Sequence, residues 1–204
     1  MNVALALLWK DLLCEWRSRD RLVAMVVFSI LVVVVFQFAW PTAPREQTEA
    51  LAPGVLWVIY LFAALLGLGR TFTLELENDA LTGLALAPGT RGFLFVGKAA
   101  ASFVLIAAVQ AMTAFVFALF FRLDWLAQAG PLALIVGLAD LAIVSVGTLF
   151  SAMSARSRFR EVLLPILLIP TLIPVLASAV RATAATLAGE ALSLAAVQPL
   201  VVIG

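Results

Sequence analysis

Pro131-Leu-Ala-Leu-Ile-Val-Gly-Leu-Ala-Asp140-Leu-Ala-Ile-Val-Ser-Val-Gly-Thr-Leu-Phe-Ser-Ala-Met153 is a run of 23 residues with one charge in it. As a helix rising 1.5 Å per residue it would measure about 35 Å, enough to cross roughly 30 Å of hydrocarbon. Barrel strands would instead alternate in segments of about ten residues, and no such alternation is present. Backbone groups in lipid must pair within their own segment, so the run reads as a transmembrane helix. Four more runs of similar length flank it, at 22–40, 51–69, 99–121 and 162–180. The composition agrees, with 64% hydrophobic residues and a mean hydropathy of +1.14, against roughly 45–50% apolar for a soluble domain.

A sixth apolar run begins near residue 191 and reaches Gly204. Fourteen helical residues rise only about 21 Å, too little to cross alone. The helix either starts earlier, near 187 with Glu190 at its wet end, or continues past residue 204. The second is the expectation, with an incomplete span over 187–204. The fold class is therefore all-α: a single polytopic permease-like domain over 1–204, with six spans.

Charge orients these spans. Lys10, Arg17, Arg19 and Arg21 precede the first, Arg70, Arg91 and Lys98 flank the second connection, and Arg156, Arg158 and Arg160 fill the fourth. The alternate side holds Arg45, Arg122 and Arg181. The positive-inside rule puts the N-terminus and the basic loops in the cytoplasm. The loop Arg156, Arg158, Arg160 suits anionic lipid, with a partner contact as the other reading.

Residues 1–20 carry charges where a signal peptide needs an unbroken apolar core, so they read as an amphipathic helix anchoring the first span. Leu5, Leu8, Leu12 and Trp16 would form its apolar face, with Lys10, Arg17 and Arg19 reaching headgroups and Trp9 at the interface. On the same side lies Glu75-Leu-Glu-Asn-Asp-Ala-Leu-Thr-Gly-Leu-Ala-Leu-Ala-Pro88. Here the acids Glu75, Glu77 and Asp79 precede Leu81, Leu84 and Leu86, and a proline ends the pattern. A short amphipathic helix over 74–88 either presents a leucine ridge to a soluble partner or lies idle among headgroups.

Within the spans, Gln110 sits near mid-membrane and is expected to bond a neighbouring helix. Lys98, near an end, is expected to snorkel. Asp140 lies near the bilayer centre, where an ionised carboxylate costs at least ~2.5–3.5 kcal/mol. It is either a proton or substrate site or a hydrogen-bonded acid facing other helices; with no intramembrane base nearby, the second is favoured. Pro165, Pro170 and Pro174 break the fifth helix repeatedly, so that helix is expected to be kinked and packed inside protein.

Histidine is absent and Cys14 is the only cysteine. A zinc, copper or His-ligated heme site made by this chain alone is not expected, and an intrachain disulfide is impossible. No GxxxxGK[ST] sequence occurs, so any nucleotide chemistry belongs to a partner. No resident cofactor, catalytic residue or nucleic-acid partner is expected.

Three stretches together resemble one family, heme exporter protein B of cytochrome c maturation, a permease subunit of the ATP-binding-cassette class. They are Leu84-Ala-Leu-Ala-Pro88, Gly147-Thr-Leu-Phe-Ser-Ala-Met with the basic loop after it, and Leu163-Leu-Pro165 through Ile173-Pro174-Val-Leu176. The resemblance runs to about residue 180. The chain departs from it at Asn78-Asp79 and Thr82, where family loops carry an acid-Gly pair and a Glu. The resemblance implies a bacterial inner-membrane location and a cytoplasmic ATPase, holding the ATP, that docks on the 74–88 loop. It also implies a heme-handling membrane subunit, a periplasmic heme chaperone and heme handled by the complex. A second copy of the chain and membrane lipid are further partners. Two other readings stand beside it: an export permease of the same class for another substrate, and an ion-coupled carrier using Asp140.

Overall fold

The computed structural model describes residues 3–39, 45–72, 91–121, 125, 128–155, 157 and 159–189. They form six helices: α1 (Val3–Ser18), α2 (Asp20–Ala39), α3 (Arg45–Gly69), α4 (Arg91–Phe121), α5 (Ala129–Ser154) and α6 (Arg160–Leu187). Among the described residues there is no strand. Helices α2 to α6 are each long and apolar enough to cross a membrane, so the chain is a multi-pass membrane protein.

Helix α3 is the hub of the bundle, packed against α2, α4, α5 and α6. Its buried residues run nearly all the way round, from Ala52 through Leu56, Ile59, Tyr60 and Ala64 to Leu68. Only the narrow stripe Val58, Phe62, Leu66, spaced by four, faces outward. The other spans are one-sided. Met25, Ser29 and Val33 face inward on α2, while Val23, Val27, Leu31 and Val35 face out. Apolar residues on both faces are what lipid on one side and protein on the other select. Helix α6 turns Leu164, Leu168, Leu172, Val175, Ala179 and Ala182 inward at helical spacing, largely against α5.

Small residues let α3 and α5 approach closely. A Cβ on Gly147 would collide with the Leu68 side chain, and one turn on, the Ser151 hydroxyl donates to the Leu68 carbonyl at 2.7 Å. This is a small-xxx-small contact strengthened by an interhelical hydrogen bond.

Three sequence expectations need correction. The helices outrun the apolar runs, and α6 continues to Leu187, so residues 181–187, expected to lie in a connection, belong to the fifth span; the expected sixth span falls outside the described residues from 190 onward. The chain turns at Gly189, whose φ is +78°. Second, Pro165, Pro170 and Pro174 lie inside one continuous helix, with Pro170 and Pro174 exposed and Pro165 half-buried. They occupy the outer face instead of being packed inside. Third, the side of α1 turned to the bundle carries acids beside the expected leucines: Leu8, Asp11 and Leu12 are all half-buried. Leu5, Trp9 and Leu13 point out, while Glu15 is buried and α1 packs along the start of α4. Cys14 is exposed.

Candidate functional site at the root of the α3–α4 connection

A helix ends with carbonyls that have no partner in the helix itself. At the C-terminus of α3 three neighbouring helices supply those partners. Ser151 of α5 caps Leu68 O at 2.7 Å. Lys98 of α4 donates from Nζ to Thr71 O at 3.2 Å. Arg21 of α2 comes within 3.4 Å of Gly67 O and, equally, of Thr71 Oγ1. Thr71 Oγ1 lies 3.4 Å from Ser102 Oγ as well. The 3.4 Å contacts are at the long end of hydrogen bonding, so the shorter Ser151 and Lys98 bonds hold the joint. Two cations at this end also suit the negative pole of the helix dipole.

The bases are themselves paired. Lys98 Nζ lies 3.0 Å from Asp11 Oδ2 and 5.6 Å from the centre of the Phe72 ring. Arg21 Nε lies 2.9 Å from Glu15 Oε2. Lys98 is only 6% exposed; it is buried and paired where snorkelling was expected. Glu15 does more at the α1–α2 elbow. Its carbonyl accepts from Arg19 N at 2.8 Å, and its Oε1 accepts from Leu22 N at 3.2 Å, capping the first turn of α2. The elbow residue Arg19 is left-handed, with φ of 58°.

A second polar group lies deeper. Gln110 Nε2 donates to Asp140 Oδ1 at 2.8 Å, and the Tyr60 hydroxyl donates to the Gln110 carbonyl at 3.1 Å. Asp140 is fully buried and Gln110 nearly so. The structure thus brings together the two intramembrane polar residues singled out in the sequence and adds Tyr60. Trp57, stacked edge-on against Tyr60 at 5.5 Å, ties the layer to α6 through Nε1 and Thr183 Oγ1 at 3.0 Å. An amide-bonded acid between α4 and α5 fits the hydrogen-bonded reading of Asp140.

Glu75, Glu77, Asp79, Leu81, Leu84 and Leu86, expected to form the partner-facing helix, lie outside the described residues, as do Arg156 and Arg158. Arg160 opens α6. Sequence reasoning missed Asp11, Glu15, Arg21, Thr71 and Tyr60 as site residues. The one available signal was the i, i+4 spacing of Asp11 and Glu15, which places both acids on one face of α1.

A family profile described as CcmB protein matches residues 2–203. The chain belongs to the CcmB family. It is 32% identical over 184 residues to heme exporter protein B of Paracoccus denitrificans, covering 88% of this chain and 83% of that one. Identity to heme exporter protein B of Rhodobacter capsulatus is 30% over 177 residues, 84% and 78% of the two chains. For the Pseudomonas aeruginosa protein of that name it is 28% over 190 residues, 92% and 83%. The CcmB family resemblance seen in the three stretches is thereby established over nearly the whole chain.

Proposed function

We propose that this chain is the membrane permease subunit of an ATP-binding-cassette complex in a bacterial inner membrane. A cytoplasmic partner ATPase docks on residues 74–88 and drives the spans, in the service of heme delivery or release of a heme-loaded chaperone. The chain hydrolyses no ATP and holds no resident cofactor; heme is cargo of the complex. A heme-handling membrane subunit and a periplasmic chaperone complete it. The names of the curated relatives support the heme assignment.

One observation supports the coupling reading above the others. The connection between α3 and α4 begins where three helices converge on the carbonyls at the end of α3. Force reaching Thr71 would be passed to the hub helix and its neighbours through those bonds.

The test is the leucine ridge. Leu81→Asp or Leu84→Asp would put a charge into an apolar contact, which costs several kcal/mol when it cannot be neutralised or rehydrated. Either change should abolish co-purification of the ATPase while the permease still inserts. Thr82→Ala should have little effect. Wild-type recovery of an active ATPase with both leucine variants would move the docking site to α1 or to the loop around Arg156, Arg158 and Arg160.

A further inference from the structure

Helix α1 turns two carboxylates toward the bundle and Leu5, Trp9 and Leu13 away from it. Leu5, Trp9 and Leu13 are 60%, 64% and 52% exposed, which is all that a helix resting on a lipid surface requires. The inward acids serve something else. Asp11 and Glu15 stand one turn apart, the first paired with Lys98 of α4, the second with Arg21 of α2. Each base then contacts the end of α3, Lys98 at Thr71 O and Arg21 at Gly67 O. These four charges cancel, and Lys10 stands at the rim, 2.9 Å from Asp11 Oδ1. A buried charge left without its counter-ion is strongly unfavourable, so the geometry has two preferred conditions, closed or fully hydrated, and little between them. That is how a latch behaves, in contrast to a greasy contact that slides.

We propose that Asp11, Glu15, Arg21 and Lys98 are positioning residues that latch α1 to the C-terminal end of α3, so that α1 moves as one body with the root of the coupling segment. Displacement of residues 73–90 is then delivered to α1, α2 and α4 together, and α1 carries it to the lipid surface or to whatever lies against it. This rests on the coupling role proposed above.

The test uses the full chain, alone and with its ATPase, in lipid nanodiscs. Spin labels are placed at Leu13 and Phe93, both exposed, in a Cys14→Ser background. The parent should give a narrow distance distribution that shifts when ATP and vanadate are added to the complex. Asp11→Asn and Lys98→Met should each broaden the distribution and lose the shift, with the ATPase still bound. The conservative variants Asp11→Glu and Lys98→Arg, which keep the charge pair and the donor to Thr71 O, should retain both, which separates a charge latch from a general loss of packing. An unchanged narrow distribution in Asp11→Asn and Lys98→Met overturns the latch, as does a nucleotide-dependent shift retained in them. If no ATPase binds the parent chain, the coupling role fails instead. The nucleotide-free distributions still decide the latch in that case, because broadening in Asp11→Asn and Lys98→Met and its absence in the conservative variants need no partner.

Discussion

A carboxylic side chain at bilayer depth is tolerable when a donor meets it, and Asp140 has one in Gln110 Nε2 at 2.8 Å. The other carboxylate oxygen is buried with no hydrogen-bond partner, and an asparagine at 140 keeps a carbonyl oxygen to accept from Gln110 Nε2 at nearly the same volume. Asp140→Asn should therefore insert, assemble and function close to the parent. Asp140→Leu should lose about 0.6 kcal/mol, up to ~1.7, typical of one interhelical hydrogen bond in a membrane. Thermal unfolding in detergent and an assay of cytochrome c maturation would measure both. Abolished function in Asp140→Asn with unchanged stability would instead support a carrier using the ionised acid. The sequence showed that Asp140 and Gln110 needed partners, because isolated polar groups in hydrocarbon are costly. It could not show that they would be each other's partners, since that depends on the relative height of α4 and α5. Tyr60 was illegible for the same reason, its donation to Gln110 O being a matter of how α3 sits beside α4.

Between elements, close packing decides where substitutions hurt. Gly147 faces Leu68, which is fully buried and has no free direction in which to swing away. Gly147→Val should push α5 from α3, weaken the Ser151 bond to Leu68 O, and cost about 1–3 kcal/mol, as overpacking does. A lowered unfolding midpoint in detergent would show it; an unchanged one would mean that the contact relaxes freely. The spans themselves were plain in the sequence, because lipid imposes length and apolarity on every one of them. Their ends were less so. Residues 181–187 were set apart because Arg181 looked like a loop residue, yet its Nε bonds Ala177 O at 3.1 Å on an exposed side of the helix. The prolines of α6 were placed by a rule about burying freed carbonyls, while the inward stripe of Leu168, Leu172 and Val175 leaves Pro170 and Pro174 on the opposite side. Helix α1 was read as an in-plane amphipathic helix from its leucines and its headgroup-reaching bases, which left its acids without a role. In the bundle Asp11 and Glu15 pair with the buried bases Lys98 and Arg21.

At the scale of the whole molecule, ten of the thirteen bases fall in the N-terminal segment and in alternate connections of the sequence. By the positive-inside rule those parts are expected to be cytoplasmic, and the capped end of α3 with them. A single cysteine at Asn78 in a Cys14→Ser background should resist membrane-impermeant thiol reagents in intact cells and react once the membrane is opened. Ready labelling from outside would reverse the orientation and leave the coupling segment with no ATP within reach.

The most direct measurement of the central claim is photo-crosslinking in living cells from an unnatural photoreactive side chain placed at Leu84. The adduct, identified by mass spectrometry, should contain a nucleotide-binding subunit with a GxxxxGK[ST] sequence, and Leu84-directed capture should fall away when Leu81 is changed to Asp. Adducts to lipid alone, or to a protein on the outer face of the membrane, would contradict an ATP-driven permease coupled through residues 74–88.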